Sequence, residues 1–400
     1  MIDLKLAKRV RVIEPSATLA LMAKAKALKS QGKKVLEFQV GEPDFSTPEN
    51  IKSAGIKAIE ENFTYYTPSP GTMELREAIV EKFQKENNLT YTVNEVMISN
   101  GGKHCLFNAI MAIVDSGDEV IIPTPYWVTY PETVKVADGV PVFLETTSEN
   151  DFKVTPEQLE KAITDKTKLL ILCSPSNPTG SVYTKEELEE LAKVVVKHQI
   201  YVLSDEMYEK LVYDGLEFVS FASLGEEVKK LTLTFNGVSK AYAMTGWRIG
   251  YVAGDQEIIK AMNSLQSHAT SGPNAIAQKA SVEALLGTQE PVEDMRKEFD
   301  ERRKLMVNAL NDIPGITCRI PKGAFYAFPD ISSFIGKSFK GEKINSDDDF
   351  ARLLLENYYV VAVPGFSFGA PGFLRFSYAT SREVIEEGMR LLKEFTQEIK

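Results

Sequence analysis

At 400 residues, 44% of them hydrophobic and 26% charged, the chain has the apolar content of a packed globular protein and exceeds the length one core usually serves. That composition excludes a disordered tract. A net charge of −10 with no basic block argues against nucleic acid and anionic membranes as partners, while a small anion remains possible at a local site.

The opening MIDLKLAKRV alternates charges and lacks the apolar core of a secretory signal. No run approaches the ~18 apolar residues of a membrane span. The three cysteines, Cys105, Cys173 and Cys318, lie in or beside apolar runs and form no CxxC pair, so buried free thiols are expected. The three histidines, His104, His198 and His268, form no metal-binding pattern, and no metal is expected. These features point to a soluble cytoplasmic protein.

Residues 16–31 read as a helix capped by Ser16, with Leu19, Met22, Ala23 and Ala27 on its apolar side and Gly32 as its stop. The strand VLEFQV runs into the turn GEPDFSTP at 41–48. Thr47 and Pro48 then start a helix carrying Ile51, Ala58, Ile59 and Phe63. TYYTPSPGT at 64–72 is a Pro- and Gly-rich loop too aromatic to be a plain spacer, and Thr72 begins a helix with Leu75, Ile79 and Phe83 four apart. From residue 95 to 254 the runs VMIS, EVIIP, VPVFLE, KLLILC, IYVLSD, LTLTF and RIGYVAG alternate with helical stretches. That rhythm predicts a mostly parallel sheet with crossover helices. Further on come a charged helix from Glu293 to Asn311, GAFYAFPD, a polar segment near 336–346, another helix, VVAVPG, FLRFSYAT and a terminal helix. The expected organisation is a large α/β domain over 47–290, a smaller α+β domain over 291–400, and an N-terminal segment, 1–46, joining the latter.

Within this frame several residues carry chemistry. The stretch FNGVSKAYAMTGWRIGYVAG, Phe235 to Gly254, sets Lys240 and Arg248 in a loop between two strand-like runs. A lysine fixed over a desolvated pocket gives up its proton more easily and attacks aldehydes. Arginine offers a planar fork to phosphate. GGKHCLFNAI at 101–110 follows a strand and opens a helix, where free N–H groups and the helix dipole favour an anion. Its spacing is not that of a P-loop. Asp205 ends the run IYVLSD, at the edge where α/β sheets place ligands. Arg375 interrupts the apolar run FLRFSYAT and needs an anionic partner. Each feature also has an ordinary reading: a surface lysine, a tight turn, a helix-capping aspartate, a structural salt bridge.

The string SKAYAMTGWRIG resembles the cofactor-lysine signature of class I aminotransferases, fold-type I enzymes that use pyridoxal 5′-phosphate, and SPSNPTG at 174–180 matches a second motif of that family. The resemblance covers nearly the whole chain, with each match in family order. It implies that Lys240 holds the cofactor as a covalent imine, beside Ser239, and that Arg248 grips its phosphate together with the turn Gly101, Gly102 and Lys103. Trp127 in TPYWVTY would stack on the pyridine ring, Asn177 and Tyr208 would donate to its phenolic oxygen, and Asp205 would keep its nitrogen protonated. Arg375 would bind the substrate α-carboxylate, with Gly41, Trp127 and Asn177 alongside. Tyr66 matches a tyrosine that reaches the neighbouring subunit's cofactor, which implies a homodimer with shared active sites.

The implied reaction is a ping-pong transamination between amino acids and 2-oxo acids, with Lys240 as anchor and general base. Many aspartate aminotransferases hold the distal carboxylate with a partner-subunit arginine, yet no arginine occurs between Arg248 and Arg296. The chain is instead similar to the bacterial and plant 1β subgroup, where a lysine after the glycine turn, here Lys103, and an N-terminal threonine, here Thr18, are linked to acidic side chains. L-Aspartate and 2-oxoglutarate are the expected pair. Some 1β members also take prephenate and carry a basic residue where this chain has Glu14. A same-fold lyase is the competing enzyme class. A non-enzymatic regulator of this fold would append a helix-turn-helix domain, and this chain opens directly on the aminotransferase-like region.

Overall fold

The structure, a computed structural model, describes residues 6–14 and 17–400, the side chains of residues 17–20 excepted. The Ser16 cap and the Thr18 side chain therefore lie outside the described residues. The first long helix itself runs Ala17–Ser30.

All seven apolar runs between 95 and 254 become strands of one sheet: β1 (Val96–Ser99), β2 (Glu119–Pro123), β3 (Val140–Leu144), β4 (Thr167–Cys173), β5 (Tyr201–Asp205), β6 (Thr232–Gly237) and β7 (Gly250–Ala253). Their order is β1-β7-β6-β5-β4-β2-β3. Strands β2 to β6 pair in parallel, whereas β7 runs antiparallel to both β1 and β6. Helices cover both faces, so Val120–Ile122 of β2 and Leu169–Cys173 of β4 are unbroken apolar runs rather than alternating ones. The two-residue period still decides which core each side chain joins: Val120 and Ile122 pack on one side of β2, Ile121 on the other.

A second, antiparallel sheet combines β8 (Tyr326–Ala327), β9 (Val363–Pro364) and β10 (Leu374–Ser377) in the order β9-β10-β8. The segment near residue 37 joins this part of the chain. Leu36–Glu37 pairs in parallel with Val360–Val361, and the Ser377 N–H donates to the Phe38 carbonyl at 2.8 Å. Phe38 meets Phe376 edge-on at 5.6 Å between centroids. This pairing carries the turn at Gly41 to the side of Arg375. The charged helix starts at Glu290, earlier than Glu293, because Pro291 falls in its first turn, where a missing N–H costs no helical bond.

One contact fixes the future anion site. A Cβ on Gly250 in β7 would fall 2.2 Å from the Gly102 nitrogen, so the start of the helix Gly102–Ile113 rests directly on strand backbone. Gly250→Ala should therefore cost about 2 kcal/mol or more through overpacking. The check is the urea midpoint, which should fall at unchanged m-value.

Candidate active site

The carboxyl ends of β1, β4, β5 and β6 meet the turn at Gly41 and strand β10 around a cavity of about 540 Å³. Its wall contains Gly41, Gly102, Lys103, Trp127, Asn177, Asp205, Tyr208, Ser239, Lys240, Arg248 and Arg375. Gly101 lies behind that wall at φ +87°, and a Cβ there would fall 2.2 Å from Arg248 Nη2. Only glycine lets the guanidinium fold over this turn. Tyr66 is elsewhere. It is 97% exposed, beside a separate surface hollow lined by residues 64–67 and 272–276.

Strand β6 ends in fully buried residues and delivers Lys240 into the cavity, where its amine donates to the Gly41 carbonyl. Burial lowers this amine to about 8; Glu42 pulls it upward, while Arg375 and Arg248 push it further down. Asp205, at the end of β5, accepts from the Tyr130 hydroxyl at 2.7 Å and from the Met207 N–H at 3.2 Å. Burial raises its carboxyl above the usual range, and the bonds from Tyr130 and Met207 oppose that rise.

The segment that follows is bolted down by two buried acids. Glu206 accepts from the Ser204 and Ser220 hydroxyls, each at 2.8 Å, and from the Phe221 N–H at 3.2 Å. Burial, with Glu209 adding, pushes the Glu206 carboxyl up to about 8. Glu209 pairs with Lys82 and accepts from Asn87 Nδ2 at 2.8 Å. Asp205 and Tyr208 thus face the cavity from a stretch with little freedom to move.

Three cations border the same space. Arg248 holds a left-handed backbone, φ +57°, and among the described residues donates only to backbone carbonyls, those of Thr245 at 2.9 Å and Asn100 at 3.3 Å. Lys103 occupies the first turn of its helix, where the dipole disfavours a cation, and its Nζ lies 5.0 Å from the Trp127 ring centroid. Burial, then Arg248, lowers its pKa. Arg375 is 3% exposed and donates to Asn177 Oδ1 at 2.9 Å and to the Gln39 carbonyl at 2.8 Å. Both acceptors are neutral, and its buried Nε has no hydrogen-bond partner among the described residues. A buried guanidinium so placed is matched to an anion.

These groups fit pyridoxal phosphate. A helix start and Arg248 offer a phosphate cradle, Trp127 a flat face, Asp205 a carboxylate, and Lys240 an amine with reduced proton affinity.

Tyr130, Tyr326 and Cys173 are among the wall residues that sequence did not assign to the site. Tyr130 closes TPYWVTY and Tyr326 sits inside GAFYAFPD, but an aromatic in an apolar string gives no sign of whether its hydroxyl meets a core or a cavity. Cys173, expected as a buried thiol, is half-buried in the wall, in register with Asp205; burial, then Asp205, pushes its thiol up to about 12.

A mostly parallel sheet that presents a lysine, an aspartate and an anion cradle at its carboxyl edge is the fold-type I architecture of pyridoxal-phosphate-dependent transferases. The chain belongs to the aminotransferase class I and II family, whose model matches residues 33–392. It is 50% identical over 392 residues to a protein of Bacillus sp. (strain YM-2) named aspartate aminotransferase, covering 98% of this chain and 99% of that one. A Nitrosomonas europaea protein named aspartate/prephenate aminotransferase is 47% identical over 390 residues, 97% of this chain and 98% of that one. Among solved structures, the aspartate aminotransferase of Rhizobium meliloti superposes at a TM-score of 0.97 with 46% identity, each chain fully covered. That of Thermus thermophilus with maleate gives 0.93 with 44% identity, covering 98% of this chain and all of that one.

The lowered amine makes a pH prediction. Neutral lysine is the reactive form, so in cofactor-free protein acetylation of Lys240 by acetic anhydride should climb about tenfold per pH unit and level off above about 8. Exposed lysines should keep climbing to about pH 10. Mass spectrometry of the Lys240 peptide reads the profile.

Proposed function

We propose that this protein is an aspartate aminotransferase, moving the amino group of L-aspartate to 2-oxoglutarate to give oxaloacetate and L-glutamate by a ping-pong mechanism. The observation that carries the reading is the placement of Lys240, with its amine lowered to about 8, in one cavity with Asp205 and the buried Arg375. The names of the full-length relatives support aspartate as the substrate.

When bound, pyridoxal phosphate supplies an aldehyde that condenses with amines and a protonated ring that draws electrons. In this reading Lys240 Nζ anchors the cofactor and then takes the proton from the substrate α-carbon and returns it. Asp205 sets a negative charge against the ring nitrogen, held in place by Tyr130 and the Met207 N–H. Tyr208 and Asn177 donate to the ring oxygen, Trp127 covers the ring face, and Ser239, Arg248 and the turn Gly101-Gly102-Lys103 hold the phosphate. Arg375 binds the α-carboxylate beside Gly41, and Lys103, together with Thr18, meets the distal one.

The division into a segment 1–46 with 291–400, and a large domain over 47–290, is supported by the pairing of Leu36–Glu37 with Val360–Val361. A homodimer with shared sites is supported by Tyr65 and Tyr66, exposed by 83% and 97%, and by the outward Ile56 and Ile59. Exposed apolar side chains of this size are of the kind subunits cover. The three free cysteines fit a reducing compartment such as the cytoplasm. Among the described residues no helix is long and apolar enough to cross a membrane.

Several relatives are named aspartate/prephenate aminotransferases, and prephenate is the second reading. Against it, Glu14 stands in this chain where a basic residue would serve, in a segment whose backbone N–H at Glu14 donates to the Glu132 carboxylate at 2.9 Å. Prephenate should therefore be a poorer acceptor than 2-oxoglutarate in a direct comparison of kcat/KM.

Lys240→Ala should lower kcat by about 10³-fold or more while circular dichroism and oligomer size stay unchanged. Lys103→Ala should raise KM for aspartate about tenfold and leave a neutral amino acid unaffected. Equal effects on both substrates would remove Lys103 from the distal-carboxylate site. Amino-group release without 2-oxoglutarate would favour the lyase.

A further inference from the structure

Three segments distant in sequence meet at a phenol that no motif marks. Tyr326 lies on β8, which pairs with the strand bearing Arg375 through the register Tyr326↔Ser377. It is 1% exposed yet borders the cavity. Its hydroxyl is 2.8 Å from that of Tyr208. The Arg375 guanidinium lies over its ring, 4.5 Å from the centroid, with the Phe368 ring at 5.0 Å. A Cβ on Gly41 would come 3.0 Å from the Tyr326 hydroxyl, so the turn facing the substrate packs on the same group.

We propose that Tyr326 is a positioning residue for the transamination: its hydroxyl donates to Tyr208, aiming the Tyr208 O–H into the cavity, and its ring fixes the plane of Arg375. The proposal rests on the reading of this cavity as a pyridoxal-phosphate site. Each hydroxyl has one proton and two lone pairs. If Tyr208 spends its proton on the cofactor's ring oxygen, it can only accept from Tyr326, and Tyr326 must be the donor. The neighbouring guanidinium makes the Tyr326 O–H a stronger donor, and a hydroxyl that accepts a hydrogen bond donates more strongly in turn. A guanidinium stacked on a ring keeps its N–H edge free for a carboxylate. One side chain thereby couples the group that binds the α-carboxylate to the group that tunes the cofactor.

Tyr326→Phe removes the hydroxyl and keeps the ring, while Tyr326→Leu removes both. In the holoenzyme, the pH midpoint of the bound cofactor's visible absorption should rise by up to about one unit in Tyr326→Phe, because Tyr208 donates less strongly to the ring oxygen once it no longer accepts a hydrogen bond itself. In a Tyr208→Phe background the same substitution should shift nothing further. Calorimetry with succinate on cofactor-free protein should show Tyr326→Phe binding like wild type and Tyr326→Leu about tenfold weaker. If Tyr326→Leu fails to fold, the Phe variants alone decide. An unmoved midpoint in Tyr326→Phe, or the same shift with and without Tyr208, overturns the proposal. A wild-type protein that takes up no pyridoxal phosphate overturns the reading beneath it, before any variant is made.

Discussion

A primary amine kept partly uncharged in a cavity that already holds two arginines and a second lysine is the constraint on which this structure turns. Desolvation and the positive field act in the same direction on Lys240, with Glu42 and Asp205 opposing them. The protein as a whole is acidic, so the positive field is local, produced by bringing four strand ends, one helix start and strand β10 to the same place. Net charge governs solubility; the cavity governs what binds.

Holding such a cavity open calls for rigid walls. The parallel strands converge because their crossover helices cover both faces, leaving their carboxyl ends as the natural rim. Behind the rim, two buried acids hold the wall through the partners they engage. Glu206 and Glu209 secure the segment between Asp205 and the following loop, the first as a largely neutral acid with three donors, the second in an ion pair with Lys82. Removing one partner from such a pair costs far more than the pair contributes, so these residues specify position more than they add stability.

The far wall comes from a different part of the chain. Arg375 reaches the cavity on a short antiparallel sheet, and the strand at Leu36–Glu37 adds to the same region from the opposite terminus. Their junction brings Gly41, Tyr326, Asn177 and the guanidinium together, so in the proposed reading carboxylate binding and cofactor tuning would share one set of packed groups. Small movements of this wall would change both together. That coupling suits a reaction in which two different acids take turns in one site.

Much of this was legible in the amino-acid sequence. Apolar runs alternating with helical stretches marked the seven strands, most clearly where a run such as Leu169–Cys173 has no polar position to blur the signal. The residues with unusual chemistry for their setting, a lysine between strands and an arginine inside one, are brought by the fold to one cavity, and the motifs around them pointed to the family. What sequence could not show was which hydroxyl meets which. Tyr130 on Asp205 and Tyr326 between Tyr208 and Arg375 are aromatic letters in apolar strings, and their roles depend on contacts between residues 75 and 118 positions apart. Periodicity records which face of an element a side chain occupies; only the folded arrangement of elements sets what lies opposite, because hydrogen bonds are decided by a few tenths of an ångström.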